Sequence, residues 1–221
     1  MIALSAGCGQ TQEKTTDKPV TSQPLSQTVL FENNYVKVDE FMLKPGDKLP
    51  LHEGGQRAVY ALSDYTIRWT EGDQVTEKTW QKGEAHWHDV IEHAVENIGD
   101  TDARYLVVTR KETNLPESGD YMIAQDASQE DKTHSRSVFE NEHIRIIEVK
   151  LAPGESQSMH HGINRLIYSL TPCAISYTSD QMNAKESTLE AGDIHWHQAD
   201  KHSVANTGET EAHYLIVEFK H

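Results

Sequence analysis

Histidine dominates the chemistry available to this sequence: 13 of its 221 residues are histidines, and eight of them recur at matched spacings. His86 and His88 flank Trp87, and His195 and His197 flank Trp196. Alternate side chains of a β-strand share a face, so each His-Trp-His run sets two imidazoles together and turns the indole away. His52 and His93 accompany the first run, and His160 and His202 accompany the second. Clusters of imidazole suit Zn, Cu, Fe or Ni, and nothing in the sequence chooses among them. Two arginines, Arg57 and Arg165, are the other candidates. A guanidinium can grip a substrate carboxylate through paired hydrogen bonds. It can also neutralise an internal acid such as Glu53 or Glu92, and that structural role is the favoured one. No Ser-His-Asp or Cys-His arrangement for nucleophilic catalysis is evident.

These residues sit in an internal duplication. Phe31-Glu32-Asn33 returns as Phe139-Glu140-Asn141, an offset of 108, and Leu43-Lys44-Pro45-Gly46 returns as Leu151-Ala152-Pro153-Gly154. His52, Gly54, Arg57, Tyr60 and Leu62 match His160, Gly162, Arg165, Tyr168 and Leu170. One extra residue in the second copy then moves the offset to 109, at which Gly83-Glu84-Ala85-His86-Trp87-His88 matches Gly192-Asp193-Ile194-His195-Trp196-His197. His93 and Asn97 match His202 and Asn206. Colinear matches over whole domains are a duplication, with copies at 28–112 and 137–221 and a polar linker at 113–136. Tyr121, Met122 and Ile123 give that linker something to pack on a barrel.

The elements that must position the histidines read as strands. Expected strands include Ala58–Leu62, Tyr65–Thr70 and Arg104–Arg110, with counterparts at Leu166–Leu170, Cys173–Thr178 and His213–Phe219. Val36 and Val38 alternate in one phase and Phe41 and Leu43 in the other, a shift that predicts a β-bulge in both copies. Asn97 and Asn206 read as turn formers, and Tyr60 and Tyr168 as barrel packing with a polar tip. His134, His143, His161, His213 and His221 read as surface residues. Short strands punctuated by Gly and Pro indicate a sandwich or jelly roll.

The spacing resembles the cupin family in both copies. The first cupin motif places a His-x-His pair after a glycine; here His52 follows Gly46 and His160 follows Gly154. The second runs from a glycine to a His with an Asn four residues later, as in Gly83…His93…Asn97 and Gly192…His202…Asn206. The resemblance implies an all-β chain of two tandem cupin jelly-roll barrels (double-stranded β-helices). It also implies a metal centre, a divalent Zn, Fe, Ni, Cu or Mn. Of the family's ligands only His52 with His93, and His160 with His202, carry over, because Gly54 and Gly162 replace the second His of the pair. Two imidazoles are too few for a tight site. His88 and His197, with His86 and His195 as further ligands, would complete it if they face the cavity. If Ala85 and Trp87 face the core instead, these histidines line the surface or an interface.

A formal charge of −15, with 20 basic residues scattered among 35 acidic ones, argues against nucleic acid. Cys173 reads as a small buried thiol. Leu4-Ser5-Ala6-Gly7-Cys8 resembles a bacterial lipobox, with Cys8 lipidated, preceding a tether rich in Gln, Thr, Ser and Lys that brings the non-domain segment to residue 27. The expected setting is a periplasm-facing envelope lipoprotein that meets the membrane only through that anchor. A homodimer is expected too, unless the two barrels of one chain already satisfy sheet-edge pairing. Three functions remain open: binding of a metal or small polar molecule, metal-dependent catalysis as an oxygenase, isomerase or decarboxylase, and a purely structural role. Both copies keep the same histidines, which favours a shared role at both sites.

Overall fold

A computed structural model describes residues 26–111, 113–119, 121 and 123–220. The expected lipidation site Cys8 lies outside them. The first copy forms nine strands: β1 (Ser26–Glu32), β2 (Val36–Leu43), β3 (Lys48–Gly54), β4 (Arg57–Ala61), β5 (Tyr65–Glu71), β6 (Gln74–Trp80), β7 (Ala85–His88), β8 (Ile91–Asn97) and β9 (Ala103–Arg110). After a short helix, α1 (Ala127–Glu130), the second copy repeats them. Its strands are β10 (Ser135–Glu140), β11 (Ile144–Leu151), β12 (Ser156–Gly162), β13 (Arg165–Ser169), β14 (Cys173–Ser179), β15 (Met182–Leu189), β16 (Ile194–His197), β17 (Asp200–Asn206) and β18 (Ala212–Phe219).

Each copy is two antiparallel sheets facing one another. The larger sheets run β1-β2-β9-β4-β7 and β10-β11-β18-β13-β16; the smaller run β3-β8-β5-β6 and β12-β17-β14-β15. Between the two sheets of a copy lies a core of its own: Leu43, Val59, Tyr65 and Val107 in the first, Val149, Ile167, Ile175 and Ile216 in the second. A third core, holding Val38, Ala58, Tyr60 and Leu106 with Ile146, Leu166, Tyr168 and Phe219, joins the larger sheets of the two copies. Trp87 stacks on His143 and Trp196 on Tyr35 across this layer, matching positions of the duplication.

The larger sheets are thus buried on both faces, and this explains the phase change in β2. Val36 and Val38 serve the layer between copies, while Leu43, in the opposite phase, serves the barrel. The pairing of β2 with β9 is continuous from Val36 to Leu43, so β2 carries no bulge there. The register shift falls on the partner strands, between Val29 and Phe31 and between Ser137 and Phe139. Tyr60 and Tyr168 point into the layer between copies and not into a barrel. The extra residue of the second copy is absorbed where β14 meets β15, whose pairing shifts between Tyr177 and Ser179.

Asn97 and Asn206 are the turn formers their sequence suggests. Asn97 is fully buried; its Nδ2 donates to the Leu43 and Thr101 carbonyls at 2.8 Å, and its Oδ1 accepts from Gly99 N. Gly46, at φ +85°, makes the tight β2–β3 turn, and its N–H reaches the Asn97 carbonyl. The segment between copies adds Leu115 to the core between the larger sheets, and its short helix docks on the second copy. Asp126 caps α1 and forms a buried ion pair with Arg145, which also meets Glu218 at 3.3 Å. In the first copy the positions of Arg145 and Glu218 are Lys37 and Thr109, so no such clasp exists there. Cys173 is free and buried, and burial pushes its thiol up. No helix among the described residues is long and apolar enough to cross a membrane.

Asn97→Ala strips three hydrogen bonds from a buried turn and should cost about 2–4 kcal/mol of stability, read as a lower urea midpoint at unchanged slope.

Candidate functional site

Strand register decides which side chains enter each barrel. Arg57 pairs with His88, Ala58 with Trp87, Val59 with His86 and Tyr60 with Ala85. Because alternate residues share a face, Arg57, Val59, His86 and His88 turn into the barrel while Ala58, Tyr60, Ala85 and Trp87 turn into the layer between copies. The histidines of the His-Trp-His runs therefore face the cavities and not the surface or an interface, while Ala85 and Trp87 face the core between the copies. His52 and His93 are paired across β3 and β8, and His160 and His202 across β12 and β17.

The first cavity has a volume of about 280 Å³ and is lined by His52, His86, His88 and His93, by Arg57 and by aromatic rings. Its centrepiece is a stack. Trp69 lies 3.9 Å from His93 and 4.4 Å from His88, nearly parallel to both, and the two imidazoles are parallel at 6.5 Å, so the indole sits between them. His86 stacks on Trp80 at 3.8 Å, and its Nδ1 is buried without a hydrogen-bond partner. Arg57 is 5 % exposed, donates through Nη1 to the Gly55 carbonyl and lies over the Trp69 ring. His93 Nδ1 lies 3.2 Å from the Ile91 carbonyl, which assigns the proton to Nδ1 and leaves Nε2 to accept from Arg57 Nη2 at 3.1 Å.

Arg57 forms no ion pair among the described residues. Glu53 and Glu92, the partners expected for it, are exposed and lie opposite one another on β3 and β8. Burial pulls the Arg57 guanidinium below its ordinary value. It also drives the neighbouring imidazoles down, His86 to about 3 and His88 and His93 to about 4, with the Arg57 charge adding to the shift.

The second cavity is larger, about 500 Å³, and differs at its centre. Where the first copy has Trp69 and Ile91, the second has Tyr177 and Asp200. Arg165, 1 % exposed, meets Asp200 Oδ1 at 2.8 Å and Tyr177 Oη at 3.0 Å, and Tyr177 Oη donates a short bond to the other Asp200 oxygen. His202 Nδ1 is 3.0 Å from Asp200 Oδ1. Hydrogen bonds from His202 and the Arg165 charge hold the Asp200 carboxyl well below the usual range against burial. Burial, reinforced by Arg165, lowers His197 and His202 to about 3 and also lowers His195. Burial lowers His160 as well; its Nδ1 bonds the Ser158 carbonyl while Nε2 is buried and unpartnered.

The structure thus lines the first cavity with His52, His86, His88 and His93 and the second with His195, His197 and His202, with His160 buried beside His202, but sets none of them in a metal geometry. No group of three or more His, Cys, Asp or Glu able to hold a metal ion occurs among the described residues. A Cβ at Gly54 would lie 2.5 Å from Arg57 Cζ, and one at Gly162 would lie 2.7 Å from Arg165 Cζ. The guanidinium fills the space beside the missing second histidine of each His-x-His pair. A divalent ion about 4 Å from that charge would meet roughly 8 kcal/mol of repulsion at an effective dielectric near 20. The donor set therefore does not fit a metal in this arrangement. Trp69, Tyr177 and Asp200 were missed by sequence reasoning, although the mismatched pairs 69/177 and 91/200 in the repeat alignment carry the signal. The expected surface histidines are half-buried: His134 bonds Asp131, His213 bonds Glu148, His161 packs edge-on against Tyr121, and His143 stacks on Trp87. His221 lies outside the described residues.

No family model and no curated protein matches the sequence. Solved structures do match the fold. AerE from Microcystis aeruginosa superposes with a TM-score of 0.66 over 92% of this chain and 97% of its own, at 19% identity. A cupin 2 conserved barrel domain protein from Leptotrichia buccalis gives 0.53 at 13% identity, over 89% of each chain. Oxalate decarboxylase from Bacillus subtilis, a protein with Mn(II) centres, gives 0.60 at 11% identity over 88% of this chain and 72% of its own. This chain has the bicupin fold: two cupin jelly-roll barrels in one polypeptide, packed through their larger sheets.

Histidines held neutral in the fold but free to charge when unfolded make the unfolded chain bind more protons as pH falls below 6.5. Stability should be full above that pH and fall toward pH 4, by up to about 1.4 kcal/mol per pH unit for each such histidine, in urea titrations at stepped pH.

Proposed function

We propose that this bicupin binds a small planar organic anion in its first barrel, with Arg57 as the countercharge, and that it works in the cell envelope on a lipid anchor at Cys8. One observation carries the binding reading: a guanidinium 95 % removed from solvent faces a cavity with no carboxylate paired to it. Burying a charge without a partner costs several kcal/mol, and a ligand carboxylate arriving there recovers it. The surrounding side chains suit such a guest. Lys37 and Asp39 neutralise one another at 2.9 Å, Glu53 is exposed where it lines the cavity, and burial holds His86, His88 and His93 uncharged at neutral pH. Phe41, Tyr65 and Tyr105 line the cavity with aromatic rings, and His86 Nδ1 offers a polar atom in need of a partner. A cavity of about 280 Å³ lies at the small end of ligand sites. Arg57 grips and orients the anion, the rings exclude water, and turnover forms no part of the reading. The envelope reading rests on Leu4-Ser5-Ala6-Gly7-Cys8 alone.

Benzoate, with uncharged benzamide as its control, tests the site by calorimetry. Benzoate should bind and benzamide should not. Arg57→Met should weaken benzoate at least about tenfold, equal to 1.4 kcal/mol, while leaving the ligand-free protein as stable as the parent or more so. Equal binding by both proteins, or by neither across a panel of small carboxylates, overturns the reading. Elemental analysis of untagged protein should find no stoichiometric divalent metal. Palmitate labelling and membrane fractionation in the native host should both be lost in Cys8→Ala; a label that survives the substitution removes the anchor.

A further inference from the structure

The duplication preserves eight histidines and both arginines, yet the two barrels are electrically different. In the first, Arg57 hydrogen-bonds backbone and imidazole groups, lies over the Trp69 ring and has no carboxylate partner among the described residues. In the second, Asp200 supplies from within the protein the anion that the first barrel lacks, and Tyr177 closes the triangle around Arg165. The guanidinium is also held by the Ile163 and Gln198 carbonyls at 3.1 and 3.2 Å, leaving it 1 % exposed. The position that would receive a ligand carboxylate is filled by the side chain of residue 200, whose counterpart is Ile91.

We infer that the two barrels take different ligands: a small anion in the first, and a larger uncharged molecule in the second. The second cavity, about 500 Å³, carries Ile167, Ile175 and Ile216 where the first has Val59, Ile67 and Val107, and gains Met182 and Leu189; the Asp200 carboxylate offsets the Arg165 charge. Its one lysine, Lys185, is exposed. A wall that joins these aliphatic side chains to hydrogen-bonding groups at Ser187, Thr188, His195 and His197 suits a molecule with an apolar body, polar substituents and no charge. A second anion there would meet Asp200 at short range and gain nothing from an arginine already paired. The anion half of this inference rests on the function proposed for Arg57; the second-cavity half does not.

Two probes separate the halves. In calorimetry, benzoate should bind one site per chain in the parent protein, two in Asp200→Asn, where Arg165 loses its internal partner, and none in Ile91→Asp, where the first barrel gains one. Uncharged N-phenyl-1-naphthylamine, followed by fluorescence, should bind with affinity unchanged in Arg57→Met and weakened about tenfold in Ser187→Trp, which fills the second cavity from its rim. Two benzoate sites in the parent protein overturn the asymmetry. So does a single site in Asp200→Asn that keeps the parent near-UV circular dichroism; should that variant not fold, benzoate binding retained by Ile91→Asp overturns it instead. Absence of naphthylamine binding, or equal binding in Ser187→Trp, overturns the second-cavity half. A parent protein that binds no benzoate but does bind naphthylamine defeats the function proposed for Arg57 and leaves the second site standing.

Discussion

The constraint on which the rest depends is that each larger sheet is buried on both faces. Val38, Ala58, Leu106 and Val108 satisfy one face against the other copy, and Val59, Tyr105 and Val107 satisfy the other against the smaller sheet. Each fully buried aliphatic side chain contributes about 1.5–3 kcal/mol, so a slip of one residue in β4 or β7 would exchange two apolar faces and could not pass unnoticed. The register so fixed aims Arg57, His86 and His88 at the cavity. Site geometry here is a by-product of core packing, with Trp87 and Ala85 acting as the anchors that hold their histidine neighbours in place.

Within the barrels the decisive group is the arginine. Gly54 and Gly162 lack the side chain that would obstruct it, and the guanidinium settles against a histidine of the facing smaller sheet. Burial, with the guanidinium's fixed charge adding to it, keeps the imidazoles of the His-Trp-His runs neutral, and the charge makes the pocket inhospitable to a second cation. Loss of one histidine per copy thus goes with a change in the kind of charge the barrel presents. A metal centre offers open coordination positions; a guanidinium offers directed donors that suit carboxylates.

Much of this was legible in the sequence, for reasons that can be named. The duplication, the strands and the jelly roll follow from colinear repeats and turn residues such as Asn97, whose side chain does locally what its position suggests. That the histidines enter the barrels follows from alternation once the facing is known. The facing itself was open, because alternation is ambiguous for a strand buried on both sides, and the same ambiguity produced the bulge expected in β2. The arginines were read as neutralised by Glu53 or Glu92, which are exposed and form no ion pair with Arg57 among the described residues. The true partner of Arg165, Asp200, arrives from a distant strand through the pairing of β12 with β17. Long-range pairing is what a single sequence encodes least visibly.

The layer between the copies has the character of an interface between subunits, with matched positions such as Tyr35 with Trp196 and His143 with Trp87 meeting in reciprocal fashion. A dimer of separate, identical chains would meet across such a two-fold surface too, but any change near its binding site would appear twice. Joining the copies in one polypeptide removes that obligation. It also makes their association independent of protein concentration. Ile91 in one half and Asp200 in the other is a combination no homodimer can have: fusion released the two barrels from symmetry, and the ion pair in one of them records how far they have since moved apart.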